Sequence, residues 1–273
     1  MKKAAVINDL SGFGKCSLTA SIPIISVMGV EAHPLPTAVL SNQTAYDSYK
    51  CRSLTDTIIP FAEEWKKLGA HFDAILTGFA TDEEQLDKII QAAKLLKDDY
   101  TVLVVDPVMA DNGSFYDGYS MQMCQKVKSL CHIADIITPN ISELFYIADM
   151  DFSEKITDVR KCADKLKNEG IKNIVVTGYK NKDTISNIVF TEKGEQIFTS
   201  KLYGGYFSGT GDILSSIVTA GAAKGIDLEE SVKVATEFIS LCAADTKAEN
   251  PNDGVELEHF LYYLIDNFRG DIL

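Results

Sequence analysis

Short apolar runs alternate along the chain with stretches of helically spaced apolar positions. Ala4–Ile7, Ala74–Leu76, Val102–Val105, Ile133–Ile137 and Ile174–Val176 are hydrophobic runs of strand length. Such runs mark strands covered on both faces, as in a parallel sheet. Between them, Ile58, Ile59, Ala62, Trp65 and Leu68 recur at helical spacing within 55–68, and Leu86, Ile89, Ile90, Ala93 and Leu96 do so within 82–96. Residues 155–169 and 228–246 follow the same period, and Gly170 stands where a helix C-cap glycine belongs. The alternation predicts an α/β fold: a doubly wound, mostly parallel central sheet flanked by helices. Two stretches break the rhythm. Residues 30–46 are extended but interrupted by Pro34 and Pro36, which predicts an edge strand or short flap. Residues 186–202 alternate polar and apolar positions around Glu192-Lys193-Gly194, which predicts an antiparallel hairpin. Without repeats or Pro/Gly/Ser linkers, residues 1–273 read as a single domain.

Composition narrows the function. Acidic residues outnumber basic ones 39 to 26, a net charge of −13, which disfavours nucleic acid as a partner. A small anion can still be held by backbone amides, helix N-termini and a metal ion. Six scattered cysteines without a CxxC pair, and four dispersed histidines, predict reduced thiols and no zinc site. The apolar residues after Lys3 are too few for a signal-peptide core, and no run approaches membrane-spanning length, so a cytoplasmic protein without membrane contact is expected.

In sheets of this kind ligands bind beyond the carboxyl ends of the strands. Turn-forming or polar residues follow each run: Asn8 to Gly14, Gly78-Phe79, Asp106-Pro107-Val108-Met109, Thr138-Pro139-Asn140 and Thr177-Gly178. Each alone is ordinary turn chemistry; five at one end of a sheet predict a site. The sharpest motif is Gly204-Gly205-Tyr206-Phe207-Ser208-Gly209-Thr210-Gly211-Asp212, which runs into an apolar helix over 213–223. Glycines before a helix let backbone N–H groups converge on an anion, and the helix dipole adds to that field. Asp212 can be a plain first-turn acid, or a base that accepts a substrate hydroxyl proton during phosphoryl transfer. Asn140-Ile141-Ser142-Glu143 can be a capping box, and the same geometry lets Glu143 join Asp106 in holding Mg²⁺ through water. No Walker loop is present: Asp9 replaces its first glycine and Cys16 the Ser/Thr after Lys15. GxGxxG and GxSxG are also missing.

Taken in order from residue 8 to 212, these motifs resemble the ribokinase-like superfamily. The segment Pro36-Thr37-Ala38-Val39-Leu40-Ser41-Asn42-Gln43-Thr44 narrows the resemblance to its pyridoxal/pyridoxamine kinase branch. The resemblance implies ATP as co-substrate, Mg²⁺ as cofactor, allowance for a monovalent cation, and a homodimer packed near the active site. It implies Asp212 as the base activating the 5′-hydroxyl of a B6 vitamer, with Gly209, Thr210 and Gly211 as anion hole. Asp106 and Glu143 then serve the magnesium–triphosphate, and Asn140, Thr177 and Gly178 the nucleotide. Asp9, Asn42, Thr44 and Phe79 fall where the substrate ring is met. Residues 109–117 resemble a mobile lid, and the adenine pocket is expected from the hairpin end and the helices over 214–245. Asp9 departs from the serine common in the branch, and the opening Asn-Asp-x-Ser-Gly-x-Gly also resembles hydroxymethylpyrimidine kinases of thiamine synthesis. Those typically carry cysteine where this chain has Asp212. A sugar kinase and a non-catalytic B6- or nucleotide-binding protein are the remaining alternatives. Cys16, near the substrate loop, is the thiol best placed to react with an aldehyde.

Overall fold

A computed structural model describes residues 1–247 and 250–268; the expected domain over 1–273 extends past them. Strand β1 (Lys2–Ser11) leads through α1 (Ser17–Val27) to β2 (Val30–Leu40) and β3 (Cys51–Ser53). Then follow α2 (Ile58–Lys67), β4 (Ala74–Thr77), α3 (Glu83–Leu96), β5 (Val102–Val105), and the small pair β6 (Ala110–Asp111) and β7 (Ser114–Phe115). Next come α4 (Met121–Cys131), β8 (Ile136–Ile137), α5 (Ile141–Ile147), α6 (Ile156–Asn168) and β9 (Ile174–Asn181). The chain continues with β10 (Thr184–Thr191), β11 (Gly194–Lys201), α7 (Thr210–Lys224), α8 (Leu228–Asp245) and α9 (Leu261–Phe268).

Among the described residues the main sheet has nine strands in the order β11-β10-β9-β8-β5-β4-β1-β2-β3. From β2 to β9 neighbours are parallel, and the two ends are antiparallel, as the turn at Gly194 predicts. Alternate strand residues serve opposite faces, because the side-chain period of a strand is two. Ala5, Ile7, Ile75 and Val105 pack under α2–α6, while Ala4, Val6, Leu76 and Val104 pack under α1, α7 and α8. Both faces are dry, which is why these strands are unbroken apolar runs. The chain winds one way from β1 to β2 and the other way from β4 to β9, so the crevice opens at the ends of β1 and β4.

Two expectations need correction. The extended stretch with Pro34 and Pro36 lies one strand in from the edge: β3 pairs only with Ala38–Leu40. The prolines therefore sit where β2 has no outer neighbour among the described residues, and there a missing N–H is tolerated. The run 133–137 gives only two strand residues. Ile133 and Ala134 close the turn after α4, and Asp135 spends its side chain on Leu103 N–H at 2.7 Å. Among the described residues no helix is long and apolar enough to cross a membrane. All six cysteines are free and all but Cys51 are buried, as the reduced-thiol reading requires.

Candidate active site

The ends of β1, β4, β5, β8 and β9 open on one cavity of about 820 Å³, with the first turn of α7 in its wall. Gly209 has φ +79, and a Cβ there would lie 1.9 Å from the Lys15 carbonyl, so only glycine lets α7 start this close to the loop after β1. Gly209, Thr210 and Gly211 all face the cavity. Asp212 follows within the first turn, half-buried, where the helix N-terminus favours a negative group. Its Oδ1 accepts from Asn8 Nδ2 at 3.1 Å, and the Ser17 backbone N–H donates to the same carboxyl. Burial and the neighbouring Asp9 charge raise Asp212 to about 6 against those two donors, a value suited to a base near neutral pH.

Asp106 and Glu143 lie together at the ends of β5 and α5, 9% and 4% exposed. Burial and the Asp212 charge push Asp106 up to about 8, and burial and Asp106 push Glu143 well up. Asn140 and Glu143 do form the predicted capping box, with Glu143 Oε2 on Asn140 N–H at 2.9 Å and Oε1 on Met109 N–H at 3.1 Å. One carboxylate thus does both jobs: it caps α5 and stays beside Asp106. A buried, mutually repelling carboxyl pair on the wall of this cavity suits a hard divalent cation held partly through water. The buried Thr138 hydroxyl lies beside Asp106 and adds a further oxygen to this end of the cavity.

Asn140, Thr177 and Gly178, expected at the nucleotide, line this cavity. Apolar side chains of the terminal hairpin segment, Ile185 and Leu202, and of α8, Ile239 and Ala243, line the same cavity. Asp9, Thr44 and Phe79 line the cavity as well. Asn42 does not: its amide donates to Ser48 O at 2.8 Å and Gln43 O at 3.3 Å, and its Oδ1 accepts from Ser41. It ties the loop after β2 together, and Gln43 and Thr44 reach the cavity instead. Asp9 is 4% exposed, its two oxygens accepting from Ser11 Oγ and Ser17 Oγ at 2.8 and 2.5 Å. Cys16 also lines the cavity, and burial and the charges of Asp212 and Asp9 push its thiol far up, which favours the neutral form.

The predicted lid is the β6–β7 hairpin, whose Asn112 and Gly113 have φ +49 and +78, as an Asn-Gly two-residue turn demands. It is docked on α5: Gly113 N–H donates to Ser142 Oγ at 2.8 Å, and Phe115 stacks on Tyr146 at 4.2 Å. Several cavity residues carry no sequence signal of their own. Tyr116 and Tyr206 line the cavity with their residues 39% and 47% exposed, and partial desolvation together with nearby carboxylates raises both hydroxyls, so each stays a donor at neutral pH. Lys180 reaches back from β9 to the glycine segment, donating to Gly205 O at 3.3 Å. Its place three residues after Thr177, on the cavity end of a strand, was the available clue.

The model of the phosphomethylpyrimidine kinase family matches residues 16–256. A pyridoxal kinase of Dictyostelium discoideum is 27% identical over 221 residues, covering 75% of this chain and 71% of that protein. A hydroxymethylpyrimidine/phosphomethylpyrimidine kinase of Staphylococcus aureus is 31% identical over 196 residues, covering 69% and 68%. Among solved structures, a Bacteroides thetaiotaomicron protein assigned to the phosphomethylpyrimidine kinases and crystallised with pyridoxal superposes with a TM-score of 0.91. It is 33% identical, with 96% of this chain and 95% of that one covered.

Proposed function

The chain belongs to the phosphomethylpyrimidine kinase family, and from that premise we propose that it transfers the γ-phosphate of ATP to the 5′-hydroxymethyl group of pyridoxal, pyridoxamine or pyridoxine. One observation carries the reading: a carboxylate, Asp212, stands at the glycine-flanked N-terminus of α7, facing a cavity of about 820 Å³. Asp212 takes the proton of the acceptor hydroxyl. The freed oxygen bonds to the γ-phosphorus as the bond to the bridging oxygen breaks, and that electron pair leaves on the β-phosphate of ADP. Backbone amides of 209–211 and the hydroxyls of Tyr116 and Tyr206 meet the charge on the phosphoryl group. Asp106 and Glu143 would hold Mg²⁺, which when bound neutralises triphosphate charge. Asn140, Thr177 and Gly178 position the phosphates, and the apolar side chains of Leu202 and Ile239 take adenine. Asp9, Thr44 and Phe79 form the ring site.

A hydroxymethylpyrimidine is the second reading, supported by the Staphylococcus aureus relative. Asp212, where the resemblance gives those enzymes a cysteine, favours the B6 reading. The protein acts as one domain in the cytoplasm, and a second copy packs over Leu10, Phe13, Val39 and Tyr49, exposed apolar side chains around β1–β3. Asp212→Asn tests the chemistry. We expect kcat to fall about 10²–10⁴-fold with KM for ATP little changed; a near-normal kcat removes Asp212 from the mechanism.

A further inference from the structure

Asn8 lies in the last part of β1, where the sheet opens on the cavity, and it is 2% exposed. Its carboxamide has only one workable orientation. Oδ1 accepts from Phe79 N–H at 2.9 Å and from Asp9 N–H at 3.0 Å. With two fixed donors aimed at that atom, the amide cannot flip, and Nδ2 must face Asp212 Oδ1 at 3.1 Å. Gly78 holds the group from the side: a Cβ at that position would lie 2.6 Å from Asn8 Cγ and Nδ2, so the backbone of 78 runs flat against the carboxamide. From the other side the Ser17 N–H reaches the same Asp212 carboxyl, and Ser17 has φ +48, an unfavourable conformation for serine. Its hydroxyl, bound to Asp9 at 2.5 Å, helps hold it there.

We propose that Asn8 is a positioning residue for the base: locked by two backbone amides, it fixes the plane of the Asp212 carboxyl so that it meets the acceptor hydroxyl. This rests on Asp212 being the base. The hydrogen bond spans 204 residues of sequence and joins the end of β1 to the first turn of α7. The base is therefore oriented by the sheet itself rather than by its own helix alone. Rigid orientation of this kind contributes to rate because a small rotation of a base out of line with its hydroxyl is costly.

A purely structural role is the competing explanation, since Asn8 also ties β1 to the segment after β4. Asn8→Asp separates the two. The substituted carboxylate has the same shape and still accepts from Phe79 and Asp9 N–H, but it offers Asp212 an oxygen instead of a donor. We expect kcat to fall about 10–100-fold with both KM values within about threefold and the thermal transition retained. In an Asp212→Asn background the same change should add less than about twofold, because its effect runs through Asp212. Asn8→Ser, too short to reach Asp212, should lose kcat to a similar degree and decides the matter if Asn8→Asp does not fold. An Asn8→Asp kcat within about twofold of wild type, or an equal loss in the Asp212→Asn background, overturns the positioning role while leaving the base intact. A near-normal kcat for Asp212→Asn itself overturns the base assignment and this inference with it.

Discussion

Asp106 holds its proton more tightly in the folded chain than outside it, through burial and the Asp212 charge; Glu143 does so through burial and Asp106. A carboxyl whose folded pKa is raised makes the native state bind protons that the unfolded chain has released. Stability is then full below the ordinary carboxyl value of 3.8 and declines as pH rises towards about 8, where Asp106 ionises. Mg²⁺ competes with those protons, so its stabilisation should grow with pH. Millimolar Mg²⁺ is predicted to raise Tm more at about pH 8 than at about pH 6; equal shifts at the two values would separate this carboxyl pair from the metal. Asp106, Glu143 and Asp212 were legible in the sequence because each follows an apolar run or a glycine segment. Asn42 was not placed correctly, since whether a loop amide faces the ligand or its own loop depends on local hydrogen bonds that leave no pattern. The contact of Asn8 was invisible for a different reason: its partner lies 204 residues away.

At the scale of elements, α7 depends on a single close approach. Gly209→Ala would place a methyl group 1.9 Å from the Lys15 carbonyl at φ +79, where any L side chain is also strained. The first turn of α7 must then back away from the loop after β1, carrying the anion hole and Asp212 with it. We predict a kcat loss of at least about 10²-fold together with a lower Tm; a variant with normal kcat would show that the approach of α7 to Lys15 does not matter. Helices α3, α6 and α8 were readable from their apolar spacing, since each is buried on one side only. The helical character of α1 was not, because Leu18, Ala20, Ser21, Ile24 and Ile25 are all buried, Pro23 lies inside the helix, and no polar stripe remains to mark a period. Strand β8 was overread because two apolar residues of the preceding turn, Ile133 and Ala134, stand just before it across Asp135.

Across the whole molecule the site exists only through topology. Residues from Asn8 to Ala243 reach one cavity because the strand order reverses beside β1 and the glycine segment before α7 closes over that point. The parallel sheet and its two dry faces follow from the apolar runs, and that frame was legible; the adenine pocket was expected only as a region, because a lining drawn from a hairpin and a helix has no shared motif. The acid excess of the chain does not oppose an anionic nucleotide here, since glycine amides, the α7 N-terminus and Lys180 meet it locally. The decisive measurement is ADP release by the purified protein with ATP and Mg²⁺, run in parallel against pyridoxal, pyridoxamine, pyridoxine and hydroxymethylpyrimidine. Turnover of the B6 compounds well above that of the pyrimidine is the predicted result. Turnover of hydroxymethylpyrimidine alone, or of none of the four, would contradict it.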